Sequence, residues 1–345
     1  MRRFFSFIIL FLLFLRIDSY AVTGNSGFEV IATHFNARTY ALNGSSTSVV
    51  DDVNACLTVP SRLSAIKGLE ICGSGNMFFS DTFAGSLSVA YPMPFGTFGF
   101  TVALLNYGEV EFRNDDTSQP DNLFKPQESL YGVSFGSAFF GLFAYGINVK
   151  YFSQVLTEDH YFSGFAVDLS THYKDLIWKG FTSVLSVNNI GSSGKDGGLL
   201  PMSIVFGFNK LIEFSVPRFG ISDLRPSADF RWNVDKSYQA GAGFEAMWYH
   251  VGEILDVTGR FSWTWPAEAG FLSGLNGGLG LHFKRYYLDY GVGMPGEMGL
   301  VHKLTFTFKW EEPEAARYIR NITDKKIEKT LDEIDRKFDR DEEAK

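Results

Sequence analysis

Apolar and polar side chains alternate along most of this chain, in fourteen short segments between about Leu69 and Trp310. The clearest is Phe143-Ala-Tyr-Gly-Ile-Asn-Val-Lys-Tyr151, with Phe, Tyr, Ile, Val and Tyr at its odd positions and Ala144, Gly146, Asn148 and Lys150 between them. Successive side chains of a strand point to opposite faces, so one face here is greasy and aromatic and the other small and polar. The pattern predicts strands at 69–79, 83–91, 97–110, 129–137, 141–152, 162–173, 180–189, 201–214, 226–233, 238–249, 253–265, 274–283, 286–293 and 300–310. These lengths cluster near the roughly 9–11 residues that a tilted strand needs to cross a bilayer. A soluble sandwich can carry the same alternation. The even number of segments, with a secretion signal ahead of them, favours a membrane barrel. Connections alternate between tight ones, such as 80–82, Phe139-Phe140 and Lys284-Arg285, and long ones, at 111–128, 153–161 and 190–200. Outer-membrane barrels keep short turns on the periplasmic side and long loops outside.

The two ends differ from the middle. Residues 1–21 have the form of a signal peptide: Arg2 and Arg3, an apolar run from Phe4 to Leu15, and Ser19-Tyr20-Ala21 as a small-x-small cleavage site. Residues 22–67 are rich in Ala, Ser, Asn and Thr and lack long alternation; 48–57 is expected to form a short helix that Pro60 ends. Residues 68–310 carry the strands. In 311–345, 21 of the 35 residues are charged, and Ile327, Leu331, Ile334 and Phe338 make a helical stripe. That tail reads as a charged periplasmic helix able to dock a partner protein, or as a solvated end. Aromatics gather near strand ends, among them Tyr91, Tyr107, Tyr151, Tyr161, Tyr173, Tyr249, Trp263, Trp265, Tyr286 and Trp310, as in an interfacial girdle. The expected fold is an all-β transmembrane barrel of about 14 antiparallel strands in the outer membrane of a diderm bacterium.

Parity then assigns the lumen. If Phe, Leu, Val and Trp face lipid, Lys150, Asp168, Asp229, Arg231, Glu245, Asp256, Arg260, Asp289, Lys303 and Lys309 face inward. On the lipid face near mid-membrane an Arg or Lys would cost roughly 2–4 kcal/mol. The set holds five acids and five bases, which suggests internal ion pairs and a plugged or narrow interior rather than a pore of one sign. The net charge of −8 offers no basic surface for nucleic acid. Cys56 and Cys72 either pair, in the oxidising compartment that the signal implies, or stay apart. Aromatics at 16% of the chain, with 35 Phe and 35 Gly, suit lipid-facing rings and a crowded interior.

No His-Glu-x-x-His, Gly-x-Ser-x-Gly, Walker or dinucleotide motif occurs, so no catalytic residue, metal or cofactor is expected. The acid pairs Asp115-Asp116 and Glu158-Asp159 offer too few ligands for calcium.

Three stretches resemble one family. Ala37-Arg38-Thr-Tyr-Ala41-Leu-Asn-Gly44, followed by Asp51-Asp52-Val-Asn-Ala55 and then Val59-Pro60-Ser61-Arg62-Leu63, is similar to the opening of PorV/PorQ-like and FadL-related outer-membrane proteins of the spirochaete type. Their Asn-Pro-Ala-Gly-Leu box keeps only its Pro and Leu here. Asn188-Asn189-Ile190-Gly191 resembles a mid-barrel motif, and Leu288-Asp289-Tyr290 with Pro295 to Phe308 resembles the last two strands. The resemblance implies that residues 24–67, with Asn43, Gly44, Asp51, Asp52 and Pro60, form a hatch inside the barrel. It implies either a FadL-like channel for passive uptake of hydrophobic small molecules such as long-chain fatty acids, or a PorV-like accessory of protein secretion; a structural or adhesive surface barrel is the third reading. For the channel, Arg38, Arg62 and Lys150 are the candidate carboxylate binders.

Overall fold

In the computed structural model, the described residues are 28–310 without 78–81, 113–121, 140–142, 158–159, 176–177, 194–198, 217–219, 236, 252–254, 267–270 and 295–298. The expected signal at 1–21, residues 22–27 of the expected hatch and the expected tail helix in 311–345 therefore lie outside them. Fourteen antiparallel strands close into a barrel. They are β1 (Glu70–Met77), β2 (Phe83–Met93), β3 (Gly96–Asn106), β4 (Gln127–Phe139), β5 (Phe143–Thr157), β6 (His160–Lys174) and β7 (Phe181–Ser192). There follow β8 (Ser203–Lys210, continued as Ile212–Val216), β9 (Gly220–Asn233), β10 (Tyr238–Val251), β11 (Leu255–Trp265), β12 (Leu275–Phe283), β13 (Tyr286–Gly293) and β14 (Val301–Lys309). Each pairs with its sequence neighbours, and β1 pairs with β14, Glu70 opposite Lys309, to close the sheet. Among the described residues no helix is long and apolar enough to cross a membrane.

Alternation sorts the side chains as the barrel requires. On β5, Tyr145, Ile147 and Val149 are 46, 40 and 43% exposed, while Asn148 and Lys150 between them are 0 and 2% exposed. The exposed set is the lipid-facing wall. With its closed ring and apolar exterior, the molecule is an outer-membrane β-barrel. Tyr91, Tyr161, Tyr173, Tyr286 and Trp310 belong to that exterior. Tyr107 and Tyr249 do not: their hydroxyls donate inward, to Glu128 (2.7 Å) and Asp223 (2.6 Å).

Several boundaries differ from the alternation pattern. The strand expected at 97–110 ends at Asn106, and Val110–Phe112 pairs with Asn122–Phe124 in a small sheet of its own. Residues 153–161 are not a long loop, because β5 and β6 run on to pair Thr157 with His160. Strand β9 begins at Gly220 rather than near 226, and Pro226 sits within it, opposite Phe244 of β10. The proline has no N–H to offer the other neighbour, and β8 is interrupted there at Leu211. The Leu211 N–H donates instead to the Gly180 carbonyl (2.7 Å). The expected helix at 48–57 is only a 3₁₀ turn at Val53–Leu57 capped by Asp52, and Pro60 opens a second turn, Pro60–Ala65, rather than ending the first. Proline is well placed there, since the first residue of a helical turn has no partner for its N–H.

The core of the protein is the barrel's inside. Residues 28–67 run down the lumen, from Phe28, its ring tilted against Phe152 with centroids 4.6 Å apart, near the long-loop end to Ile66 just before β1. One short helix, α1 (Ala37–Ala41), lies against β13, β14 and the strands beside them. Its start is capped by Asn36, whose Oδ1 accepts the Thr39 N–H (2.8 Å). Phe28, Val30, Ile31 and Phe35 pack on Leu105, Leu130 and Phe152 at one level; Val50, Val53, Cys56 and Leu63 pack near Cys72 and Ala90 at another.

Candidate functional site

Along one side of the lumen the inner segment is bound to the wall by charge. Arg38 of α1 holds Glu245 of β10 with two parallel bonds, Nε and Nη2 each 2.9 Å from a carboxylate oxygen. Its Nη1 reaches Asp51 (2.9 Å) and Asp52 (2.7 Å). Glu245 also accepts from Arg260 Nε (2.7 Å), and Arg260 Nη1 reaches Asp289 (2.6 Å). Arg225 closes the ring on Asp51 (3.0 Å). Asp51 and Asp52 are therefore where the inner segment and β9–β13 share charge. Burial alone would raise the Asp51 carboxyl, but the guanidiniums of Arg38, Arg225 and Arg62 hold it far below the usual carboxylate range. Burial alone would likewise lower Arg38; Glu245, Asp51 and Asp52 outweigh it and hold the guanidinium charged. Such a network is stable only with every member present, because a buried charge that loses its partner is costly.

Backbone contacts complete the seal. Thr305 Oγ1 accepts the Ala37 N–H (2.8 Å), Ser262 donates to the Ala41 carbonyl (3.0 Å), and Thr264 donates to the Asn43 carbonyl (2.9 Å). Gly44, at φ 73°, rests on the backbone of Gly241. Lower down, Pro60 lies so close to Gly136 of β4 and Gly146 of β5 that a Cβ on either would overlap the Pro60 backbone. Ser134 donates to the Cys56 carbonyl (2.9 Å). At the short-turn end Glu70 accepts the Val53 N–H (2.8 Å) and faces Lys309 (3.4 Å). Cys56 and Cys72 are both buried and not joined; burial pushes the Cys56 thiol up to about 12.

The opposite side is not sealed. Between the inner segment and β5, β7, β8 and β9 lies a cavity of about 510 Å³. Ile31, Leu57, Val59 and Leu200 give it apolar patches, and His34, Thr47, Asn188, Asn189, Arg231 and Gln239 make much of the rest polar. It reaches the long-loop end beside Leu199 and Asp235, which are exposed. Of the three expected carboxylate binders, only Lys150 lines it, and that amine is tied to Asp168 (2.8 Å) and Asn189 (2.5 Å). Arg38 belongs to the charged ring, and Arg62 donates to the Val50 carbonyl (2.9 Å). Asp229 receives the Thr47 N–H (2.9 Å) rather than an ion-pair partner. Asp256 sits half-buried opposite His282, whose Nε2 is 3.9 Å from Asp289. Arg225, Glu70 and Glu128 were not among the expected site residues. Arg225 fell outside the expected strand at 226–233. Glu70 and Glu128 lie on the inward parity of β1 and β4, the signal that would have found them. Among the described residues no cluster of His, Cys, Asp and Glu could hold a metal ion.

No protein-family model and no curated sequence matches the chain. Solved structures do. The Pseudomonas putida toluene transporter TodX aligns with a TM-score of 0.55 at 11% identity, over 78% of this chain and 95% of that one. The chain has the fold of TodX. A TodX monoaromatic hydrocarbon channel carrying the deltaS2 mutation aligns at 0.52 and 11% identity, covering 81% and 99%, and the deltaS2S3 mutant at 0.51 and 11%, covering 82% and 100%. The likeness to TodX agrees with the FadL-related part of the resemblance read from the sequence, as a matter of fold. Nothing found supports its PorV/PorQ-like part.

Proposed function

We propose that this barrel is a hatch-gated channel of the outer membrane, passing hydrophobic small molecules such as long-chain fatty acids passively from the outside inward. The observation that carries this reading is the lumen itself. It is filled by residues 28–67, sealed by charge along β9–β13, and left open as a cavity along β5–β9 at the long-loop end. A purely structural barrel has no need of a void between plug and wall that reaches the outside. The TodX fold supports a channel of this kind, TodX being described as a toluene transporter.

In this mechanism a solute enters between the long loops, follows the apolar patches of Ile31, Leu57, Val59 and Leu200 rather than the polar part of the cavity, and crosses when the hatch shifts from β4 and β5. The Pro60 contact with Gly136 and Gly146 is the barrier on the cavity side, and it is a van der Waals contact rather than an ion pair. The charged ring on the far side acts as the hinge that keeps the hatch attached. No step calls for bond making, so the protein is read as a channel and not an enzyme.

The test is uptake of radiolabelled palmitate into liposomes containing the full chain, beside liposomes containing a chain lacking residues 28–67. Saturable uptake through the full chain, and unselective leak through the shortened one, is the expected result. Palmitate uptake no faster than through protein-free liposomes would end the fatty-acid reading.

A further inference from the structure

Every lumen cation of the charged ring has a carboxylate partner: Arg38 and Arg260 on Glu245, Arg225 on Asp51. The same holds for Lys150 on Asp168 and Lys309 on Glu70. Arg231 is different. It stands on the inward face of β9 and lines the cavity, and no hydrogen bond or ion pair joins its side chain to any described residue. Its neighbour on the same face, Asp229, turns one carboxylate oxygen to the Thr47 N–H and leaves the other without a hydrogen bond. A guanidinium presents five N–H donors in a planar fork suited to a carboxylate. Polar groups out of bulk water are nearly always hydrogen-bonded, so one that faces a void without a protein partner is met there by water or by a ligand that displaces it.

The surroundings restrict what that ligand is. The His34 ring and the Gln239 amide also face the cavity with no hydrogen bond to a described residue, and Asn188 holds only a short-range bond to Ser186. The other charges in the lining are Lys150, already paired, and Glu29 and Asp235, exposed at the mouth. The deep end of the cavity therefore presents the Arg231 guanidinium, with the Asp229 carboxylate beside it but not hydrogen-bonded to it, among neutral hydrogen-bonding groups. A long acyl chain placed there would strip water from those groups and return nothing.

We propose that this cavity is a binding site for a compact, hydroxylated organic acid, with its carboxylate on Arg231 and its hydroxyls among His34, Asn188 and Gln239. The volume, about 510 Å³, is that of a small-molecule site. The inference takes from the channel reading only that the cavity is reached from outside, and it names a ligand class distinct from the hydrophobic cargo.

The experiment is titration calorimetry on the full chain in detergent with three probes: sodium D-gluconate, which is polar and anionic; D-glucose, polar and neutral; and sodium octanoate, anionic and apolar. Gluconate is expected to bind at least tenfold more tightly than either of the others. Arg231→Gln should weaken gluconate at least tenfold with only a small loss of melting temperature, since Asp229, the carboxylate beside it, keeps its bond from the Thr47 N–H and no contact ion pair is removed. Gln239→Glu, which places a negative charge in the lining and leaves Arg231 intact, should also weaken it. No gluconate binding, equal binding by Arg231→Gln, or octanoate binding as tightly as gluconate would each overturn the assignment. Palmitate uptake is measured separately: gluconate binding without palmitate uptake removes the hydrophobic cargo and keeps this site, and the converse removes this site alone.

Discussion

The two sides of the lumen are built from the same kinds of residues and behave oppositely. Along β9–β13 the inner segment meets the wall through Arg38, Asp51, Asp52, Glu245, Arg260 and Asp289, each within 3.0 Å of a partner. Along β5–β9 it is held by neutral-donor hydrogen bonds, such as the Ser61 N–H to Ser170 (2.8 Å) and the Thr47 N–H to Asp229 (2.9 Å), and beside them lies a cavity lined by an arginine with no ion pair to a described residue. The difference teaches where opening is cheap. Separating the charged side exposes several buried charges at once, whereas moving Pro60 off two glycines breaks dispersion contacts, each worth about 0.1–0.2 kcal/mol per atom pair, and the neutral bonds of the Ser61 N–H to Ser170 and of Ser134 to the Cys56 carbonyl, each worth about 1 kcal/mol. A plug that must move without leaving is best hinged on the first side and released on the second.

The largest test of this contrast is Glu245→Ala. It takes from Arg38 and Arg260, both buried, the carboxylate they share, leaving Arg38 on Asp51 and Asp52 and Arg260 on Asp289. Removing one partner of a buried pair costs about 3–5 kcal/mol, and those remaining partners keep the loss toward the lower end. The variant should lose the hinge: its melting temperature in detergent should fall by many degrees and its single-channel conductance should become large and noisy. A quiet, stable Glu245→Ala barrel would mean that the ring does not hold the inner segment.

Next comes Gly146→Val. The added side chain would overlap the Pro60 backbone, so the segment must lift from β5. Overpacking of this kind costs typically about 1–3 kcal/mol. The expected outcome is steady leak with little change in melting temperature, the reverse of the weighting in Glu245→Ala. If both variants leak and destabilise alike, the two sides are not distinct.

Much of this was legible from alternation alone, because lipid on one face and packed chain on the other make parity strict. Lys150, Asp168, Glu245, Arg260 and Asp289 were assigned inward by parity, and all are buried. What parity does not show is pairing. Arg231 looked equivalent to Arg260 as an inward arginine, yet Arg260 is fixed between Glu245 and Asp289 of nearby strands while Arg231 has only Asp229 beside it on its own strand, out of ion-pair contact, because pairing depends on register and reach across the wall. Arg225 was hidden by Pro226, which reads as a strand end; only the break in β8 at Leu211 shows how a proline fits mid-strand. The inner segment carries its own logic of caps and close approaches, as at Asn36 and Gly44, with no period from which to read it.

A third test uses pH on the sealed side. The folded carboxyl of Asp51 lies well below its unfolded value of about 3.9. A depressed carboxyl contributes stability above its unfolded value and loses it as pH falls through the folded one. The melting difference between the parent and Asp51→Asn should therefore be constant from about pH 8 to 5 and shrink only below about pH 4. Its size should be smaller than for Glu245→Ala, since the Asp51 side chain is 29% exposed where Glu245 is fully buried. A difference that vanished near neutrality would show that Asp51 is not held charged by Arg38 and Arg225.

The smallest effect is expected on the cavity side, from Asn189→Gly. Asn189 sits at φ 59°, which glycine adopts freely, and its backbone N–H to Asp168 (2.8 Å) survives the change. The substitution removes the amide that accepts from Lys150 and donates to the Pro201 carbonyl, about 1 kcal/mol for each bond by the usual measure. Lys150 keeps Asp168 at 2.8 Å, so no charge is stranded. No hydrogen bond of Asn189 reaches the inner segment, so conductance should stay at the parent level while the melting temperature falls slightly. Leak in Asn189→Gly would place part of the hold on the hatch in β7, and the cavity wall could no longer be treated as a passive boundary.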